Sequence, residues 1–184
     1  MEFKSSRDFR TWLAKDHDQS NGIWLRIYKK DSGVATVTYP EALDQALCHG
    51  WIDGQKKPYD AQSWLQKLTP RAAKSGWSKI NTEHAERLIK SGEMTPAGVK
   101  AVSAAKADGR WAAAYDSFRN ATVPVDFLKE LAKNRKAKAF FETLNKTNIY
   151  AITYRLGTAK KPETRARRMK LILAMLAQGK KFHP

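Results

Sequence analysis

Residues able to do chemistry gather in two stretches of this chain. The first runs Ala46-Leu47-Cys48-His49-Gly50-Trp51-Ile52-Asp53-Gly54, with one carboxylate set between Ile52 and Gly54 just after a tryptophan. In a partly apolar cleft, desolvation raises such a carboxyl's pKa and a neighbouring arginine lowers it, which is how a general acid or base is tuned. The plainer alternative is that Asp53 accepts backbone N–H bonds in the Gly54 turn. Around it, Trp51, Trp64, Trp77 and Trp111 recur with Arg71, Lys79 and Arg110. Guanidinium groups grip carboxylates or phosphates bidentately and indoles stack on flat groups. Together with Asp53, that set suits a small anionic or ring-bearing ligand. The competing reading makes the tryptophans core and pairs the arginines with Asp53, Asp60, Asp108 or Asp116.

Other chemistries fit poorly. Cys48 and His49 are neighbours in sequence, so on a helix they do not face each other, and no cationic cluster adjoins the thiol to lower its pKa. His17, His49, His84 and His183 lack metal-ligand spacing, and no cysteine-based zinc site exists. Ser75 and Ser78 have no nucleophile-elbow context, and no glycine-rich phosphate loop appears. No metal and no cofactor is therefore expected, and a binding role is favoured over an enzymatic one.

The second stretch is basic. Residues 129–184 carry 15 Lys/Arg against 3 Asp/Glu, within a net charge of +16 for 184 residues. Arg155, Lys160, Lys161, Arg165, Arg167, Arg168 and Lys170 could track a phosphate backbone or an acidic protein, with Tyr150 and Tyr154 placed to stack. No helix-turn-helix or zinc-finger pattern accompanies them. Arg165 falls on the apolar side of its helix with Arg168 at the rim, aimed at a neighbouring surface.

Local patterns supply the elements that must position these residues. Ser5 and Asp8 open a helix bearing Phe9, Trp12 and Leu13. Residues 23–30 alternate as a half-buried strand, and Val34 to Val37 read as a short second strand completing a hairpin. Thr38-Tyr39-Pro40-Glu41 is a capping box for a helix that Gly50 stops. Trp51 to Asp53 then run extended, Gly54 to Pro58 form a polar turn, and Ser63 to Leu68 form the next strand. Asn81 is expected to cap a helix, and from there the pattern is helical, ending in a stripe of Met169, Ile172, Leu173 and Leu176.

The predicted fold class is α+β: a small N-terminal strand element with helices, followed by a mostly helical C-terminal bundle. Pro124 marks the boundary between an N-terminal domain, 1–123, and a basic module, 124–184. One cysteine excludes an internal disulfide and fits a reducing compartment. A charged N-terminus and the lack of a long apolar run predict a soluble, cytoplasmic protein with no membrane span.

Three segments carry a family resemblance: Glu41 through Gly54, Thr69-Pro70-Arg71 followed by Trp77-Ser78-Lys79-Ile80-Asn81, and Gly109-Arg110-Trp111 with Ala114-Tyr115. With Ala159 through Arg168, they resemble the YdeI/OmpD-associated family, whose members are labelled bacteriocin-protection proteins. The resemblance implies a link to envelope stress or bacteriocin resistance, exerted indirectly from the cytoplasm, and carries no assigned reaction onto numbered residues.

Overall fold

The computed structural model describes residues 1–118 and 120–184. It is α+β and divides into two compact units, Met1–Ala114 and Tyr115–Pro184.

In the N-terminal unit, Ser5 caps α1 (Ser6–Asp16) by accepting from the Asp8 amide at 3.2 Å, and Phe9 and Leu13 are buried on its inner side. β1 (Ile23–Tyr28) buries every second residue. α2 (Tyr39–Cys48) starts at the expected box, where the Glu41 carboxylate accepts from the Thr38 amide and hydroxyl at 2.8 and 2.7 Å. β2 (Trp51–Pro58) and β3 (Ser63–Pro70) follow, and the antiparallel sheet has the order β1-β3-β2.

Two local expectations fail here. Val34 to Val37 form no strand; the Val37 amide instead donates to Phe3 O at 3.0 Å, and β1 takes β3 as its partner, with Ile23 opposite Leu68. The supposed polar turn at Gly54–Pro58 continues β2 past an irregularity between Asp53 and Lys56, where the buried Gln66 amide donates to Gly54 O at 3.0 Å. A bulge adds a residue to one strand and bends it, hiding the period-2 signal.

α3 (Lys79–Lys90) is capped by Ser78, three residues before the expected Asn81, whose amide donates to Ser78 Oγ. Proline opens α4 (Pro96–Ala107). α2 lies between two cores. Its Ala42 and Ala46 join Phe9, Leu13, Leu25, Ile27 and Trp51 under the sheet, while Leu43 and Leu47 join Trp77, Leu88 and Val102 on the other side.

The C-terminal unit contains α5 (Val125–Ala132), α6 (Arg135–Glu142), α7 (Lys146–Gly157) and α8 (Pro162–Ala177) around Phe127, Leu131, Ile152, Leu156, Ile172 and Leu176. Val123, placed before the expected boundary, packs against this core. The fully buried Asn148 fastens the chain end: its Oδ1 accepts from the Phe182 and His183 amides at 3.0 and 2.9 Å.

Candidate functional site

The Leu47–Gly50 stretch is a joint. Gly50 adopts φ 72°, a left-handed conformation that costs glycine little, and the chain turns there from α2 into β2. Cys48 O, a carbonyl the helix itself cannot satisfy, accepts from the Thr95 hydroxyl and amide at the start of α4. His49 is buried and its Nδ1 meets Gln45 O at 2.9 Å; a carbonyl only accepts, so Nδ1 carries the proton. Burial pushes its pKa down, with lesser contributions from His17 and Arg10. Burial likewise pushes the Cys48 thiol up to about 11, so it stays protonated and a poor nucleophile.

The expected ligand set is only partly gathered. Trp51 is 1% exposed in the sheet-side core, its indole donating to His17 O at 3.0 Å and meeting Trp12 edge-on. Asp53 faces Leu68 across the ladder and accepts from the Tyr39 hydroxyl at 2.8 Å, in place of the expected bonds to the Gly54 turn. Desolvation first, and Asp53 second, push the Tyr39 pKa above its ordinary value. Trp64 is half-buried on β3 with Lys56 Nζ 4.4 Å from its ring.

Arg71, Trp77, Arg110 and Trp111 do come together. The Arg71 guanidinium lies 3.6 Å over the Trp77 ring and donates to Gly76 O at 2.9 Å, and Trp77 packs on Trp111 with centroids 4.9 Å apart. Arg110 donates to Ser75 O at 3.0 Å and to the Asp108 carboxylate at 2.7 Å. These contacts tie down the basic loop, while Trp77 is 2% exposed, so its ring serves as core. Lys79 begins α3 and is exposed. The Arg71 amide donates to Gly50 O, three residues along β2 from Asp53, so the Asp53 and Arg71 backbones lie roughly 10 Å apart along the ladder.

In the C-terminal unit the basic residues divide into two groups. Arg165 grips both Asp126 oxygens at 2.7 Å and donates to Leu156 O, and Arg168 donates to Arg155 O at 2.6 Å. Both cover carbonyls left over at the end of α7, where cations also oppose the helix dipole. The Arg165 hydrogen bond holds Asp126 below the usual carboxylate range. Arg155, Lys160, Lys161, Arg167 and Lys170 are exposed.

The same unit holds a cleft that the basic residues only border. One part, of about 300 Å³, is lined by Phe118, Ala121, Lys146, Ile149 and Tyr150. A neighbouring hollow of about 260 Å³ shares Phe118 and Tyr150 and reaches Tyr154, Arg155 and His183. Phe118 meets Tyr150 edge-on at 5.3 Å, and Tyr115 meets Tyr154 likewise at 5.0 Å. Arg155 leans over Phe182 at 4.4 Å. Tyr150 and Tyr154 share one face of α7 at i, i+4, which the sequence shows. Phe118 and Lys146 join them from other segments and carry no local signal.

Residues 1–101 match the family model described as a domain of unknown function, DUF8412. The chain belongs to that family. Residues 120–179 match a second model, described as "Bacteriocin-protection, YdeI or OmpD-Associated", so the C-terminal unit is similar to that family. The resemblance first read along nearly the whole chain thus divides: its Glu41–Gly54 and Thr69–Asn81 segments lie in the DUF8412 match. Each match falls inside one compact unit, and the aromatic cleft lies in the second. No curated protein and no solved structure matches the chain. No helix among the described residues is long and apolar enough to cross a membrane, and no group of three or more His, Cys, Asp or Glu there could hold a metal.

Proposed function

We propose that the protein is a binding protein for a small ring-bearing anion, held in the cleft of the C-terminal unit, and that it serves a cytoplasmic, bacteriocin-protective stress role. The observation that carries this reading is a pair of adjoining hollows that share Phe118 and Tyr150, one bordered by Lys146 and the other by Tyr154 and Arg155. The aromatic walls take a flat ring. Lys146 and Arg155 lie nine residues apart on α7, about 14 Å along the axis, and place positive charge at both ends of the cleft. At about 300 Å³ the larger hollow, on the Lys146 side, matches the small end of ligand sites, the size of a mononucleotide. The family description of residues 120–179 supports the protective role, and the ligand class is the one the composition implies, moved from the tryptophan set to the tyrosine cleft.

The test is calorimetric titration of the full chain with nucleoside monophosphates and aromatic carboxylates. Binding is expected to weaken about tenfold in Tyr150→Ala, from loss of stacking. Arg155→Ala should weaken the phosphate-bearing ligands most. Ligands that bind the wild type and both variants equally, or none that bind at all, would remove the reading.

A second reading uses the exposed Lys160, Lys161, Arg167 and Lys170 as a face for an acidic protein or nucleic acid. Arg165 and Arg168 are spent on α7 carbonyls and Asp126, so this reading expects salt-sensitive binding to be lost in Lys160→Glu/Lys161→Glu.

A further inference from the structure

The sheet of the N-terminal unit has a second face, which the cores use only at its Ile52 corner, where that side chain packs against the Leu43 and Trp77 cluster. Ile23, Leu25 and Ile27 point into the core beneath α1 and α2, so the alternate residues Trp24, Arg26 and Tyr28 point away. Leu65 and Lys67 of β3 share that side, paired across the ladder with Arg26 and Trp24, and Lys57 of β2 pairs with Leu65. None of these residues belongs to a hydrophobic cluster of the unit.

The charges on this face are arranged unusually. Lys57 Nζ lies 4.2 Å and Lys67 Nζ 5.5 Å from the centre of the same Trp24 ring, so two ammonium groups from two strands converge on one indole. Among the described residues no carboxylate pairs with either lysine. Arg26, next along the strand, is by contrast neutralised by Glu2 and Asp60 and lies between the Tyr28 and Tyr59 rings at 4.4 and 4.6 Å. Tyr59 is 58% exposed. Two like charges over one ring repel each other, and an anion drawn between them relieves that repulsion and uncovers the indole for stacking.

We propose that this sheet face binds single-stranded nucleic acid, with Lys57 and Lys67 taking a phosphate and Trp24, backed by Tyr28 and Tyr59, taking the bases. An acidic peptide would satisfy the lysines and leave the aromatic row unused, and a duplex keeps its bases stacked inside. A single strand offers the phosphate and the free ring together. The site shares no residue with the tyrosine cleft.

Fluorescence anisotropy of a labelled thymidine oligonucleotide of about 12 residues, within the span such platforms cover, tests the proposal on the full chain. Trp24→Ala is expected to weaken binding about tenfold, and Trp24→Phe to retain most of it. Lys57→Ala/Lys67→Ala should lower the slope of log affinity against log salt by about 0.7, the share of one phosphate. Tyr150→Ala, which alters the cleft, should leave the oligonucleotide affinity unchanged. The proposal is overturned by no binding at low salt or by equal competition from polyglutamate or duplex DNA. Binding that survives both the Trp24 and the lysine changes also overturns it.

Discussion

His17 and His49 meet with ring centroids 5.5 Å apart, and each points Nδ1 at the carbonyl four residues back, Leu13 O and Gln45 O. His49 is 4% exposed, and its pKa is lowered first by burial. In the unfolded chain it protonates near the ordinary value of about 6.5, while the folded protein resists the proton to lower pH. The unfolded state therefore binds more protons in that window. The resulting stability is present in full above about pH 6.5 and is lost as pH falls toward the folded value, with a slope of up to ~1.4 kcal/mol per pH unit. Urea unfolding at pH 7.5 and 5.5 should show this loss, and His49→Gln should flatten it. That the Cys48 and His49 side chains diverge was readable along the chain, because helix geometry separates neighbours. The sequence could not show that His17 faces His49, or that Tyr39 would hold Asp53, since those meetings depend on how α1, α2 and β2 pack.

α2 and α4 approach so closely that only a glycine fits between them. A Cβ on Gly98 would lie 2.4 Å from Cys48 O and 2.8 Å from Leu47 O, both backbone atoms at the end of α2, and 2.2 Å from Met94 Sδ. The sulfur can swing aside, but the carbonyls are fixed by the helix and by the Thr95 bonds. Gly98→Ala should therefore destabilise the N-terminal unit by about 1–3 kcal/mol, despite alanine's better helix propensity. Chemical denaturation reads this, and a neutral or stabilising result would mean that the two helices separate freely. Helix starts were legible where Ser5 and the Thr38–Glu41 box act within one turn, though the α3 cap was read three residues late, at Asn81 instead of Ser78. Strands were less so: β2 was hidden by its polar outer half and its bulge, and the Val34–Val37 hairpin failed because β3, almost thirty residues further on, is the better partner. The tryptophan set was legible as residues but not as a site, since Trp51 and Trp77 fall into different cores on opposite sides of α2.

Each unit of the molecule has its own apolar cluster and its own family match, 1–101 and 120–179. Fragments 1–114 and 115–184 are accordingly expected to fold separately, each with a single cooperative thermal transition by circular dichroism. The smaller fragment should be the less stable, as a chain of about 70 residues buries a smaller share of its surface. A C-terminal fragment that melts without cooperativity would show that its four helices depend on the rest of the chain. The basic excess of residues 129–184 was plain from composition, and the helix period already turned Arg165 and Arg168 toward a neighbouring surface; that this surface is Asp126 and the last carbonyls of α7 depends on how α8 packs. Cys48 has a practical consequence at this scale. It is the chain's one sulfhydryl, sealed inside the N-terminal unit and held protonated, and residues 115–184 contain none. An alkylating reagent in dilute solution can reach it only while that unit is open, so the rate of mass gain works as a stopwatch for transient opening of one half of the molecule and is silent about the other.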